Sequence, residues 1–332
     1  MSNRKWIFAL IPLFLLFAWL LAQFTLSFLQ IHRLVEPLKA ASPSAAGSGP
    51  KVVLISQELD NYFWRSIEQG ARKAAASYAM RLDYIGPDRI NPAEQIKLLD
   101  KTIASKPDAI LIQGLNNPDY RRLIDKATGL GIPVITVDTD EPESERVAYV
   151  GTDNERAGRQ MGELVVQASG ERGDIGVLIS NEQAENQRLR LAGFRSVIGR
   201  YPGLQIVEIR SSDISRLQAA QQAQKMLIQS PNIRFMVGFS SMDGLGFLEA
   251  KERLGATGLH IFAFDDMEET VDAIRQSKIE SAVVQQPVEM GEQAIEQLHD
   301  YFSGSPPPTL MYTKTYVITK ESLNPDDGGG TE

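Results

Sequence analysis

Cysteine is absent from all 332 residues. That removes disulfides, thiolate nucleophiles, iron–sulfur clusters and thiolate zinc sites, together with the acceptor on which a bacterial lipoprotein anchor is built. Histidine is nearly as scarce, and His32, His260 and His299 share no metal-ligand spacing. No metal and no cofactor is expected. The 34 Lys and Arg are outnumbered by 42 Asp and Glu, and a formal net charge of -8 argues against a surface that tracks nucleic-acid phosphates. Also missing are a G-x-x-x-x-G-K-[ST] phosphate loop, a G-x-G-x-x-G dinucleotide turn, an H-E-x-x-H pair and a G-x-S-x-G nucleophile elbow. Paired carboxylates remain, Asp138 with Asp140 and Asp265 with Asp266. Neighbouring carboxylates more often cap helices or accept hydrogen bonds than perform acid–base chemistry, so the chain reads as a non-enzyme.

One long apolar run is present. Arg4 and Lys5 precede residues 6–31, which carry no charged side chain. At about 1.5 Å per residue such a run spans the ~30 Å hydrocarbon core, and it exceeds the roughly 7 to 15 apolar residues of a cleavable signal. It predicts an uncleaved single-pass anchor, with residues 1–33 forming a cytoplasmic tip and membrane helix and the remainder extracellular or periplasmic. Residues 34–50, rich in Ala, Ser, Gly and Pro, read as a flexible tether, and 326–332 as a disordered tail.

From residue 51 the pattern alternates. K-V-V-L-I-S at 51–56, D-A-I-L-I-Q at 108–113 and I-P-V-I-T-V-D at 132–138 are near-continuous apolar runs suited to strands buried on both faces. Segments with helical spacing of apolar residues lie between them. After residue 153 the alternation restarts with I-G-V-L-I-S at 175–180, Q-I-V-E-I-R at 205–210, R-F-M-V-G-F-S at 234–240 and H-I-F-A-F-D at 260–265. The fold class is therefore α/β, as two doubly wound parallel-sheet lobes. Open parallel sheets bind ligands beyond the carboxyl ends of their strands, where Asn61, Gln113, Asp138, Ser240, Asp265, Gln285 and Gln286 fall. Each is also a residue type that caps helices or satisfies loop backbone.

Several stretches carry a family likeness. L-D-N-Y-F-W supplies Asn61, Phe63 and Trp64, and I-P-V-I-T-V-D ends at Asp138. V-G-T-D-N lies at 150–154, R-L-A-G-F at 190–194, A-F-D at 263–265 and V-V-Q-Q-P at 283–287. In this order they resemble the periplasmic solute-binding proteins of the ribose-binding type, related also to the effector domains of lactose-repressor-like regulators. The resemblance implies two interleaved lobes, 51–152 with 286–313 and 153–285 with 314–325. Three hinge crossings would join them, near Thr152, at Gln285 and Gln286, and near Thr313. A repressor would need a basic DNA-binding helix pair ahead of this core, where the apolar run stands instead.

The resemblance also implies a sugar site of Asn61, Phe63, Trp64, Gln113, Asp138, Thr139, Arg190, Ser240, Asp265 and Gln285. Sugars have C–H faces that lie on aromatic rings and hydroxyls that both donate and accept, which calls for aromatics beside planar polar groups. Core packing is the alternative role for Phe63 and Trp64, and a surface helix charge the alternative for Arg190. Arg188 competes with it, but the family's ligand arginine stands three residues before the G-F pair. The pattern departs at Tyr62, where proline is common, at Thr139, often arginine, at Ser240 and Ser241, usually Asn-Asp, and at Gln113, an asparagine elsewhere. These departures leave a neutral monosaccharide as the expected ligand without selecting ribose. The expected partner is a membrane sensor kinase, with an ATP-driven sugar permease as the alternative. Gln23, Thr25, Ser27 and Gln30 in the apolar run suit a partner in the bilayer.

Overall fold

In a computed structural model the chain divides into two units, Met1–Ser48 and Gly49–Glu332. The structure describes residues 49–323, and within the first unit Trp19 and Gln23. The expected anchor, most of the tether and the tail lie outside the described residues. Among the described residues no helix is long and apolar enough to cross a membrane.

The second unit is built on two six-stranded sheets. The first holds β1 (Lys51–Ile55), β2 (Arg81–Ile85), β3 (Ala109–Ile112), β4 (Val134–Val137) and β5 (Ala148–Thr152) in the order β2-β1-β3-β4-β5, closed by β11 (Leu310–Thr313) beside β5. The second repeats that order with β6 (Gly173–Ile179), β7 (Leu204–Ser211), β8 (Ile233–Gly238), β9 (His260–Phe264) and β10 (Ser281–Val284), closed by β12 (Tyr316–Thr319). All pairings are parallel except that of β10 with β12. The chain thus leaves the first sheet after β5 and returns for β11. It then contributes β12 to the second.

Side chains alternate faces along a strand, and both faces of each sheet are covered. Val52 and Leu54 enter a core with α1 (Tyr62–Ser77) and α9 (Pro287–Phe302). Val53 and Ile55 enter another with α2 (Pro92–Ala104) and α3 (Pro118–Gly129). In the second sheet Phe262 and Phe264 pack with α4 (Asn154–Ser169) and α5 (Glu185–Ile198). Ile261 and Ala263 pack with α6 (Arg216–Gln229), α7 (Asp243–Leu254) and α8 (Glu268–Arg275). Two buried faces are the physical reason why these strands read as unbroken apolar runs. The short helix α10 (Lys320–Leu323) follows β12.

Candidate ligand-binding site

In each sheet the strand order reverses direction beside the first strand, between β1 and β3 and between β6 and β8. Successive loops diverge there and leave a crevice. The loops beyond these strands enclose one cavity of about 330 Å³ between the lobes. All ten residues expected from the sequence line it: Asn61, Phe63, Trp64, Gln113, Asp138 and Thr139 from the first lobe, and Arg190, Ser240, Asp265 and Gln285 from the elements of the second sheet.

On the first-lobe wall, Asn61 is the N-cap of α1. Its Oδ1 accepts from the backbone N–H of Phe63 at 3.0 Å and of Trp64 at 3.3 Å, so the capping role and the cavity position coexist. Trp64 is 1% exposed and belongs to the core as well as the lining. Phe63 is half-buried and meets it edge-on at 6.5 Å. Gln113 Nε2 donates to Asp138 Oδ2 at 2.8 Å, and Thr139 Oγ1 donates to the same oxygen at 3.1 Å. Asp138 adopts a left-handed backbone with φ 67°, and its carbonyl accepts from the buried Tyr149 hydroxyl at 2.8 Å. Burial pushes the Asp138 carboxyl up, and Arg190, Gln113, Thr139 and Asn186 oppose that shift.

The second wall is organised by Arg190. Its helix α5 packs on α4 through two glycines: a Cβ on Gly158 would lie 1.9 Å from the Arg190 carbonyl oxygen, and one on Gly193 2.0 Å from that of Glu155. Only glycine permits that approach, and it sets the position of the Arg190 backbone. The guanidinium, 2% exposed, lies over the Phe264 ring at 4.0 Å. Nε donates to Asn154 Oδ1 at 2.8 Å, one terminal nitrogen to the Phe239 carbonyl at 2.8 Å and the other to Gln285 Oε1 at 2.7 Å. Three of its five N–H groups are therefore used within the protein, and two remain. Gln285 also accepts from Thr152 Oγ1 at 2.8 Å and donates to Asp265 Oδ1 at 3.0 Å, so both its ends are engaged. Arg190 and Gln285 accordingly hold the site as much as they face it. Burial pushes Asp265 up to about 6 against the pull of Arg190. Burial also lowers Arg190, while Asp265 and Asp138 raise it.

What the protein leaves unused is a mixed set. Gln113 Oε1, Gln95 Oε1, Asn186 Oδ1 and Ser240 Oγ are buried without a hydrogen-bond partner within the protein. Asn61 Nδ2 and two Arg190 N–H groups add donors, and the carboxylates of Asp138 and Asp265 add acceptors. Groups that both donate and accept, such as hydroxyls, match a wall of this kind.

A family model described as a periplasmic binding protein domain matches residues 52–306. The chain belongs to that family. Among solved structures it is similar to GanP, a glucose-galactose binding protein from Geobacillus stearothermophilus. Identity is 35%, with 83% of this chain and 99% of that one covered and a TM-score of 0.81. It is also similar to a chain of the XylFII–LytSN complex, at 32% identity over 82% and 98% with a TM-score of 0.77. Among curated proteins, the ribose import binding protein of Bacillus subtilis (strain 168) is 25% identical over 272 residues, 81% of this chain and 88% of its own length. Two parallel-sheet lobes are the architecture of type I periplasmic binding proteins.

Other residues of this periplasmic binding protein join the site without having been expected there as ligand-facing groups. Asn154 and Gln187 are buried supports: the first orients Arg190, and the second accepts from Ser180 N and donates to the Phe239 carbonyl. Asp243 is fully buried and holds the Ser240 N–H at 2.9 Å. Asn186 lines the cavity one helical turn before Arg190, a spacing that puts both on one face of α5. That spacing is the one signal available in advance. Of the expected crossings, Thr152 ends β5 and is the register partner of Thr313, which ends β11. Thr313 Oγ1 donates to the Gly151 carbonyl at 3.3 Å, and Gln286, the N-cap of α9, donates to the Lys314 carbonyl at 3.0 Å.

Proposed function

We propose that this protein closes its two lobes on a neutral monosaccharide, held by the ten residues named above, and releases it unchanged. The observation that carries the reading is their convergence on one inter-lobe cavity whose unused groups include both donors and acceptors. Asp138 and Asp265 against a single Arg190 disfavour an anionic ligand. The binding and import proteins among its relatives support binding without turnover. Thr152, Gln286 and Thr313 would serve as hinges, and closure would shift the population by the ligand's differential affinity for the two states.

Residues 6–31 would hold the protein at the outer face of the membrane, where the closed form docks on a sensor kinase. Support comes from the apolar run itself and from a similar chain that was solved in complex with LytSN. The alternative, delivery to a sugar importer, is supported by the ribose import binding protein. Thermal unfolding of the full chain against pentoses and hexoses tests the ligand. A sugar at 100 times its Kd adds about 2.7 kcal/mol, a rise of roughly 5–10 °C, and no rise with any sugar refutes the reading. Crosslinking in native membranes separates the partners, because a kinase and a permease are recovered under different readings.

A further inference from the structure

We propose that Glu141 is a positioning residue of the sugar site, holding the loop after β3 in the shape that meets the opposite lobe at the cavity mouth. The inference rests on the sugar-binding reading. Glu141 does not line the cavity, yet it is 2% exposed three residues beyond Asp138. One carboxylate oxygen accepts from two consecutive backbone N–H groups, Leu115 at 2.9 Å and Asn116 at 2.7 Å. The other faces Arg121 Nε at 2.9 Å. A buried carboxylate is tolerated where donors surround it, and here two of those donors belong to the loop itself.

That loop forms one unit with the segment after β4. Gly114 N–H donates to the Thr139 carbonyl at 2.7 Å, and a Cβ on Gly114 would lie 2.2 Å from the Asp140 carbonyl oxygen. Gly114 and Leu115 line the cavity directly after Gln113. Asn116 takes a left-handed backbone with φ 49°, a conformation that asparagine tolerates and that needs external support. It brings Asn116 Nδ2 to 3.5 Å from the Gln183 carbonyl, on the loop after β6 in the other lobe. Replacing the Glu141 carboxylate with a neutral amide would weaken its hold on the two N–H groups and on Arg121, relax Asn116 and loosen the contact between the lobes at the cavity mouth. Because Glu141 lies behind the cavity wall and not on it, the effect is expected on escape rather than on capture.

The test measures association and dissociation rates of the full chain with D-ribose, D-xylose, D-glucose and D-galactose. Glu141→Gln keeps the size of the side chain. Asn116→Ala removes the cross-lobe amide and leaves Glu141 in place, so it covers the case in which the first variant fails to fold. Glu141→Gln is expected to speed dissociation about ten-fold, the scale of a hydrogen bond to a charged group, and Asn116→Ala about three-fold, the scale of a neutral one, each with association within two-fold of the parent. Unchanged dissociation in the folded variants, even with a lowered Tm, overturns the positioning role while leaving sugar binding intact. A parent chain that binds none of the four sugars overturns the sugar reading and this inference with it.

Discussion

Asp138 and Asp265 occupy the same place in the two lobes: each directly follows the fourth strand of its sheet, β4 or β9, with a left-handed backbone, φ 67° and 64°. This conformation costs a non-glycine residue of order 1–3 kcal/mol, and in both lobes it presents a carboxylate to the shared cavity. Replacing either with glycine should remove the carboxylate without adding strain. Asp138→Gly and Asp265→Gly should stay folded and lose about ten- to a hundred-fold in sugar affinity, measurable by calorimetry beside apo melting curves.

Acid should move binding and apo stability in opposite directions. Asp265 is raised to about 6 when folded, against about 3.9 unfolded. Between those values the folded state binds more protons, so this group's contribution to stability is largest below about 4 and falls as pH rises through 6. Asp138 is shifted the same way. Under the proposed assignment, in which the ionised carboxylate accepts from the sugar, affinity should instead decline as pH drops below 6. Asp265→Asn should flatten that part of both profiles, and an affinity profile unaltered by it would contradict the assignment.

Arg190→Lys should prove nearly as damaging as Arg190→Ala. A lysine cannot reach Asn154, the Phe239 carbonyl and Gln285 together. The alanine removes the cation that favours ionised Asp138 and Asp265 and leaves the buried Asn154 Oδ1 and Phe239 carbonyl without that donor, at about 1–3 kcal/mol for each unsatisfied group. Urea unfolding of both variants gives the comparison, and a lysine variant of parental stability would argue against it.

A methyl group on Gly158 would strike the Arg190 backbone, whereas Gly129, at the end of α3, has open space where its Cβ would stand. Gly158→Ala should cost about 1–3 kcal/mol or more through overpacking and should weaken sugar binding by displacing Arg190. Gly129→Ala should be neutral or stabilising by about 0.4–1 kcal/mol with affinity unchanged. Melting and titration of the pair separate close approach from a general glycine effect.

Phe63 and Trp64 should divide their roles. Trp64→Ala removes a core side chain and should cost about 3–5 kcal/mol. Phe63→Ala, at a half-buried position on the cavity wall, should lower affinity with a smaller loss of stability.

Strands β1, β3 and β9 were legible because both of their faces are buried. Residues 51–56, 108–113 and 260–265 announce themselves as apolar runs, whereas β2, an edge strand with Arg81 and Asp83 among its five residues, has no such run. The cavity residues were legible because strand ends, residue types and a family likeness coincided on them. Asn154, Gln187 and Asp243 were not, because they act by holding other residues across long sequence separations. Nor could residue type reveal that Gln285 spends both ends of its amide on the protein. Glu141 carries no signal of its own in the sequence, and only the fold places the Leu115 and Asn116 amides against it.

The late return of the chain to its first sheet has a consequence during synthesis. Helix α9, which covers the buried face of α1, and strand β11, which closes the sheet beside β5, follow residue 286. Until the ribosome has made them, the emerging amino-terminal half displays an uncovered greasy surface, so nascent chains stalled before that point should be the ones that chaperones hold.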